Sequence, residues 1–174
     1  MESFGKDFGK LSQGDNKTKI YSMGSIFVME RHEIKNIPKD GTITYSHVVV
    51  GFRQRKEDPK WVCITAGGNI ITYPSKISTH TADITTSKII CNSVVSTENA
   101  KYMCVDIKNF YLGNPLYQYK YMHIPLILFT GHVIEQYKLR NKDKNGFIYM
   151  EIRKSIYGLP QTGNLSEKLL TPHE

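Results

Sequence analysis

The chain has 174 residues, enough for one ordinary domain, and its composition of 40% hydrophobic and 22% charged residues is globular rather than disordered. Lysine and arginine outnumber aspartate and glutamate by 23 to 16, and the net charge of +7 is compatible with a polyanionic partner. The longest apolar run, residues 124–129, is too short to span a bilayer, and the N-terminus lacks the apolar stretch of a signal peptide. We therefore expect an intracellular protein, cytoplasmic or nuclear, that is not secreted and has no membrane partner.

Residues 1–40 are polar and predict a loosely packed N-terminal arm, followed by one domain over residues 41–174. Two β-branched and aromatic segments, "TITYSHVVVGF" and "KWVCIT", flank the polar "RQRKEDP". This arrangement predicts a β-hairpin with a basic tip. The paired glycines of "TAGGN" then indicate a tight turn.

The next segments predict one long helix, one strand and one short helix. "THTADITTSKIICNSVVST" predicts a helix that begins at Thr81 or Asp83 and has its apolar residues on one face. "YMCVDI" predicts a strand that contains the acidic residue Asp106 within an apolar run. "GNPLYQYKYMHIP" predicts a turn and a short aromatic helix that ends before Pro125.

The C-terminal third predicts two further helices and a strand. "GHVIEQYKL" predicts a short helix with Val133, Ile134 and Tyr137 on its apolar side. "KDKNG" indicates a turn into the strand "FIYMEIR", whose two sets of side chains alternate, and "TGNLSEKLL" predicts the last helix. The predicted helices and strands do not follow the alternating βαβ order of α/β proteins, so we expect an α+β fold.

Several segments together resemble a known family. "GGNIITYPSK", "VDIKNFYL", "YKYMHIP" and "EIRKSIYGLPQTG" occur in the order of the reverse transcriptase domain of copia-related retrotransposon polyproteins. The most specific motifs are "DIKNFYL" and "YGLPQ", and the similarity runs from about residue 9 almost to the C-terminus. The resemblance implies the fingers and part of the palm of an RNA-directed DNA polymerase.

The resemblance also implies roles for single residues. Such polymerases join nucleotides with two Mg²⁺ (or Mn²⁺) ions, which oxygen ligands hold. Asp106 matches the first catalytic, metal-binding aspartate, and the backbone carbonyl of Ile107 matches a second metal ligand. Tyr111 matches the aromatic gate against the ribose 2′-hydroxyl, although from the residues alone an ordinary core aromatic is the favoured interpretation. Gln161 matches a residue that binds near the nucleotide 3′-hydroxyl.

The basic hairpin tip lies where fingers residues of this family approach their substrates. Arg55 and Lys56 are expected to bind the nucleotide triphosphate, and Arg53 and Lys60 to bind nucleic acid. The implied partners are an RNA or DNA template-primer and a deoxynucleoside triphosphate. The alternative is a solvated turn whose charges serve solubility.

The sequence departs from the family at three places. The segment "NLSEKLL" after "YGLPQTG" differs slightly from the family's usual alanine-bearing version. Trp61 and Cys63 stand where phosphate-binding arginines are usual, and a guanidinium has no apolar substitute. The YxDD hairpin, whose aspartates complete the two-metal site, does not occur in the sequence. We therefore expect a fragment truncated before that hairpin, inactive as an isolated chain and without a stably held Mg²⁺ ion. A non-catalytic nucleic-acid-binding module and a relic without function remain alternatives, and an exposed sheet edge is expected to favour self-association.

Overall fold

The computed structural model describes residues 2–52, 54, 59–74, 77 and 83–170. The helices in these residues are α1 (Glu2–Leu11), α2 (Ile84–Ser96), α3 (Gly131–Gln136), α4 (Leu139–Lys142) and α5 (Thr162–Leu170). The strands are β1 (Ile26–Val28), β2 (Ile43–Phe52), β3 (Lys60–Ala66), β4 (Pro115–Pro125) and β5 (Phe147–Lys154). This mixture confirms the predicted α+β class.

The five strands form one mixed sheet in the order β1-β5-β4-β2-β3. Neighbouring strands are antiparallel except β2 and β4, which run parallel with Thr44 opposite Met122. β2 and β3 form the predicted hairpin, whose tip at Arg53, Arg55 and Lys56 lies outside the described residues. A parallel pair needs a long crossover, and the chain between β2 and β4 supplies it.

The two faces of the sheet differ in chemistry because side chains alternate along each strand. One face contributes to the core, and eight of its residues are completely buried: Ile26, Thr44, Ile64, Met122, Ile124, Ile148, Met150 and Ile152. The alternation predicted for β5 is confirmed, since Ile148, Met150 and Ile152 are buried while Tyr149 and Glu151 are only half-buried. We call the opposite side, which includes Phe27, Tyr121, His123, Tyr149 and Glu151, the outer face.

The loose packing expected of residues 1–40 is wrong. Phe4 and Phe8 of α1 are buried, and the Phe8 ring packs edge-on against Phe129 and Tyr137 at centroid distances of 5.0 and 5.1 Å. β1 adds a strand to the sheet beside β5. The prediction was wrong because it relied on the polar composition of the whole segment. Three buried apolar side chains at helical spacing, Phe4, Phe8 and Leu11, are enough to anchor the ten-residue helix α1. The predicted domain boundary at residue 41 stays a prediction.

The helix predicted over residues 113–125 is also wrong, because most of this segment is β4. The strand lies in the interior of the sheet, where β5 pairs on one side and β2 on the other. Met122 and Ile124 face the core while Tyr121 and His123 face outward, a period of two rather than 3.6.

The α2 prediction is confirmed at its start. The Asp83 carboxylate accepts a hydrogen bond of 2.8 Å from the Thr86 amide, which is an N-cap, and Thr81 lies outside the described residues. The apolar side of the helix, however, stays exposed, as Ile84 at 72% and Val95 at 85% illustrate. No helix among the described residues has the length and apolar character needed to cross a membrane.

The outward edge of β3 is partly covered rather than open. The Asp7 carboxylate of α1 accepts a hydrogen bond of 2.8 Å from the Ile64 amide, and the carbonyl of Tyr157 accepts one of 2.8 Å from the Ala66 amide. The Ser3 hydroxyl donates to the carbonyl of Lys60 at 3.4 Å. These contacts reduce the number of free backbone groups that a second strand could pair with. Self-association through a sheet edge stays a prediction.

Asp7 provides a test of this edge contact. Burial raises the pKa of its carboxyl group, while the hydrogen bond from Ile64 partly offsets the shift. A raised pKa in the folded state means that stability falls as the pH rises through that pKa. An asparagine side chain can still accept the Ile64 bond without carrying a charge, so we expect Asp7→Asn to be at least as stable as the parent at about pH 7 and to lose this advantage towards about pH 4.

Asp7→Ala is the matched variant, because it removes the acceptor altogether. We expect it to lower the free energy of unfolding by about 1–3 kcal/mol in urea titrations. Equal stability of the Ala and Asn variants at neutral pH would show that the edge contact contributes nothing.

Candidate functional site

Asp106 lies in an exposed loop, and the strand predicted for "YMCVDI" is wrong. Residues 101–107 have no regular secondary structure, and Met103 and Val105 are 81% and 63% exposed. A strand requires a neighbour for its backbone groups, and the sheet of the described chain contains no strand beside this segment. The apolar residues of this segment predicted that it is buried, but in the structure they are exposed.

Tyr111 follows in a short 3₁₀ helix, Phe110–Leu112, which Asn109 begins in the left-handed conformation with φ of 61°. The helix is anchored by Leu112, whose side chain is buried and whose carbonyl accepts a hydrogen bond of 2.7 Å from the Ser25 hydroxyl. Tyr111 itself is 43% exposed. It is therefore open to solvent rather than an ordinary core aromatic.

The motifs "TAGGN" and "YGLPQ" are in direct contact, although they are far apart in the sequence. The Ala66 amide donates to the carbonyl of Tyr157 at 2.8 Å, and a methyl group on Gly68 would overlap the carbonyl oxygen of Gly158. Gly158 has φ of 93°, a conformation that favours glycine. The glycine turn that the sequence indicated at "TAGGN" is therefore present, and it packs against a second turn at Gly158.

Gln161 directly precedes α5 and is almost completely buried, with 3% exposure. Its side-chain oxygen Oε1 has no hydrogen-bond partner among the described residues. The residue borders a cavity of about 250 Å³ whose other walls include Tyr73, Leu116 and Leu165. Asp106 and Tyr111 do not line this cavity. An unpaired buried carbonyl favours a donor from a ligand or water.

Tyr157 connects the predicted residues electrostatically. Partial burial raises the pKa of its hydroxyl group; Cys63 and Tyr111 raise it further where they are ionised, as do the negatively charged carboxylates of Asp7 and Asp106. The Tyr111 and Tyr157 rings are 6.3 Å apart. The structure thus brings Asp106 and Tyr111 into the surroundings of Tyr157. Sequence reasoning assigned no role to Tyr157, although it opens "YGLPQ", and it had no signal for Asp7, which lies outside every motif.

A metal site is not assembled around Asp106 within the part of the chain that the structure describes. In that part, no three histidine, cysteine, aspartate or glutamate side chains are grouped closely enough to hold a metal ion. Asp106 and the Ile107 carbonyl would supply two oxygens, whereas Mg²⁺ takes about six ligands. These residues alone do not fit the ion, and binding of Mg²⁺ or Mn²⁺ at Asp106 stays a prediction.

Of the predicted cationic residues, Lys60 is described. It begins β3 opposite Phe52, and its side chain is exposed. Trp61 and Cys63 follow on the same strand, and both are half-buried. Burial raises the pKa of the Cys63 thiol, which therefore stays protonated at neutral pH. The nucleic-acid role of Lys60 stays a prediction.

Comparison with protein-family models, curated proteins and solved structures finds no significant match for this chain.

The glycine contact has a direct test in Gly68→Ala. Because the added methyl group meets the rigid backbone of Gly158, we expect the free energy of unfolding to fall by about 1–3 kcal/mol in a denaturant titration. Gly113→Ala is the matched control, since a methyl group there has no heavy atom within 4 Å, and we expect a change within about 0.5 kcal/mol. Equal stability of the two variants would contradict the contact.

Proposed function

We propose that this chain is a reverse-transcriptase-type fingers and partial palm segment that binds RNA or DNA, and that it does not add nucleotides as an isolated chain. The observation that carries the proposal is the packing of "TAGGN" against "YGLPQ". These are two of the segments on which the family resemblance depends, and the Ala66 to Tyr157 hydrogen bond joins them. Spatial convergence of motifs that are distant in sequence is expected of a shared site.

The surroundings of Tyr157 give further support. Tyr111, proposed as the sugar gate, has its ring 6.3 Å from the Tyr157 ring, and Asp106, proposed as the metal-binding carboxylate, contributes to the raised pKa of Tyr157. The exposed ring of Tyr111 can contact a ligand. A nucleotide bound at Gln161 would have to place a hydrogen-bond donor in the neighbouring cavity of about 250 Å³, within reach of the Gln161 side-chain oxygen.

The donor set around Asp106 supports the proposal that the isolated chain does not add nucleotides. Two-metal nucleotidyl transfer needs several carboxylate oxygens around both ions. Asp106 lies in no group of three potential ligands among the described residues. The net charge of +7, in contrast, favours a nucleic-acid phosphate backbone without any metal.

The nucleic-acid interaction is tested by reversing the charge of the hairpin tip. We expect Arg53, Arg55 and Lys56 changed together to Glu to weaken binding of a single-stranded RNA, and to reduce the slope of log K against log salt by about 2, since each phosphate contact in a single strand contributes about 0.7. Fluorescence anisotropy between about 50 and 200 mM salt measures both quantities.

The control changes three exposed lysines elsewhere, Lys17, Lys88 and Lys168, to Glu, which alters the net charge equally. If the two triple variants lose affinity and slope to the same extent, the hairpin tip has no specific role and only the total charge matters.

The catalytic part of the proposal predicts no primer extension on a poly-A template with Mg²⁺ or Mn²⁺. The physical reason is that one carboxylate does not position two metal ions. Incorporation of labelled nucleotide measures it. Extension by the parent chain that Asp106→Asn abolishes would overturn this part and establish a polymerase.

A further inference from the structure

The outer face of the sheet carries an unusual number of aromatic rings. Strand pairing sets them in rows, because residues opposite each other point to the same side. One row joins Phe27, Glu151, Tyr121 and Ile43, and the next joins Tyr149, His123 and Tyr45. Each of the four strands β1, β5, β4 and β2 thus contributes at least one ring.

These rings form a connected surface. His123 lies 4.7 Å from Phe147 and 5.9 Å from Tyr149 between ring centroids, and Tyr45 lies 5.8 Å from His47. Tyr119 lies on the same face, because Arg153 lies over its ring and it borders the same depression as Tyr121. Tyr119 and Tyr45 are 48% and 37% exposed. Partial burial lowers the pKa of His123, so the central ring is neutral at physiological pH. One side of the Tyr45 ring packs against Gly67, and a ligand can reach the exposed parts of the Tyr45 and Tyr119 rings.

Cationic side chains accompany the rings. The Arg153 guanidinium lies 4.0 Å from the Phe27 ring centroid and 5.6 Å from that of Tyr119, and the exposed Lys144 ammonium lies 5.9 Å from the Tyr149 ring. Arg153 also pairs with Glu151 at 2.8 Å, which fixes its position above the face. Nucleic-acid bases can stack on flat aromatic rings, and their phosphates can contact cations beside those rings.

The face is also concave on both sides of Tyr121. One depression of about 420 Å³ is bordered by Tyr119, Tyr121 and Asp40. Another of about 390 Å³ is bordered by Phe27, Tyr121 and Arg153. Each offers room for a planar group beside a ring.

Cross-strand aromatic pairs also stabilise sheets without any ligand, and an apolar protein partner is a second alternative. Three features favour nucleic acid. Most of the rings carry a polar tip, cations lie over three of them, and the chain has a net charge of +7. A surface for another protein would instead be depleted of charge at its centre.

We propose that a single strand of RNA or DNA lies across the outer face, with bases stacked on Tyr45 and Tyr119 and phosphates near Arg153 and Lys144. This inference rests on the proposed nucleic-acid-binding function, and it adds which surface holds the bases. Stacking of this kind tolerates any sequence, because every base has a flat face.

The test uses the 174-residue chain and a fluorescent oligouridylate of about 12 nucleotides, measured by anisotropy. We expect the double variant Tyr45→Ala, Tyr119→Ala to lose roughly 10-fold or more in affinity, because each stacked ring contributes measurably. The double variant Tyr45→Phe, Tyr119→Phe keeps the rings and is expected to bind within about 2-fold of the parent. Circular dichroism melts check that all variants are folded.

Two controls locate the site. An abasic oligonucleotide has the phosphates but no bases, and its weaker binding should be the same for the parent and the Ala variant. The double variant Tyr21→Ala, Tyr102→Ala removes two rings that are 93% and 59% exposed and lie off the sheet. We expect it to bind oligouridylate like the parent.

The outcomes separate the two proposals. Loss of binding in the hairpin-tip variant without loss in the Tyr45, Tyr119 variant would overturn the stacking surface and leave the proposed function standing. Absence of binding by the parent chain to oligouridylate and to a matching DNA strand would overturn both. Association of the parent into dimers that the Ala variant abolishes, seen by light scattering, would assign the face to a second copy instead.

Discussion

The contact between the end of β3 and the turn after β5 is the constraint on which the candidate site depends. Ala66 and Tyr157 share a backbone hydrogen bond of 2.8 Å. A methyl group on Gly68 would overlap the carbonyl oxygen of Gly158, and one on Gly158 would overlap the carbonyl oxygen of Ala66. β3 is an edge strand, whereas β5 lies on the far side of β4 and β2. The contact therefore joins two parts of the chain that the sheet itself keeps apart, and it sets the positions of Tyr157, Gln161 and the start of α5.

Sequence periodicity predicted those elements whose local pattern and tertiary surroundings agree. The hairpin, the Asp83 cap, the alternation of β5 and the last helix belong to this group. β4 was missed because its outward side chains are tyrosines and a histidine, so the expected apolar and polar alternation was hidden. α1 was missed because the segment is polar and also contains glycines; Gly9 is required there, since a methyl group would meet Asp15. The strand predicted at Asp106 failed because no described strand pairs with it.

In the candidate site, too, the sequence indicated some features and missed others. Motif resemblance identified Asp106, Tyr111 and Gln161, but it could not indicate that Gln161 is buried beside a cavity while Tyr111 is exposed near Tyr157. No sequence motif marks Asp7 or the aromatic outer face. The position of Asp7 depends on how α1 packs, and the outer face depends on the register of the strands, and neither can be read from a local pattern. The proposed stacking surface and the exposed loop that carries Asp106 are separate parts of this chain. Binding can persist where the metal ligands needed for catalysis are not assembled.

Photo-crosslinking of a single-stranded RNA that contains 4-thiouridine tests most directly whether nucleic acid lies on the outer face. The thio-substituted base reacts with the side chain that it touches, and mass spectrometry of the digested complex identifies the peptide. We predict adducts in the strands β2, β4 and β5, at Tyr45, Tyr119 or their outer-face neighbours. Adducts confined to α2 and the loop at residues 97–108 would contradict the outer face as the binding surface.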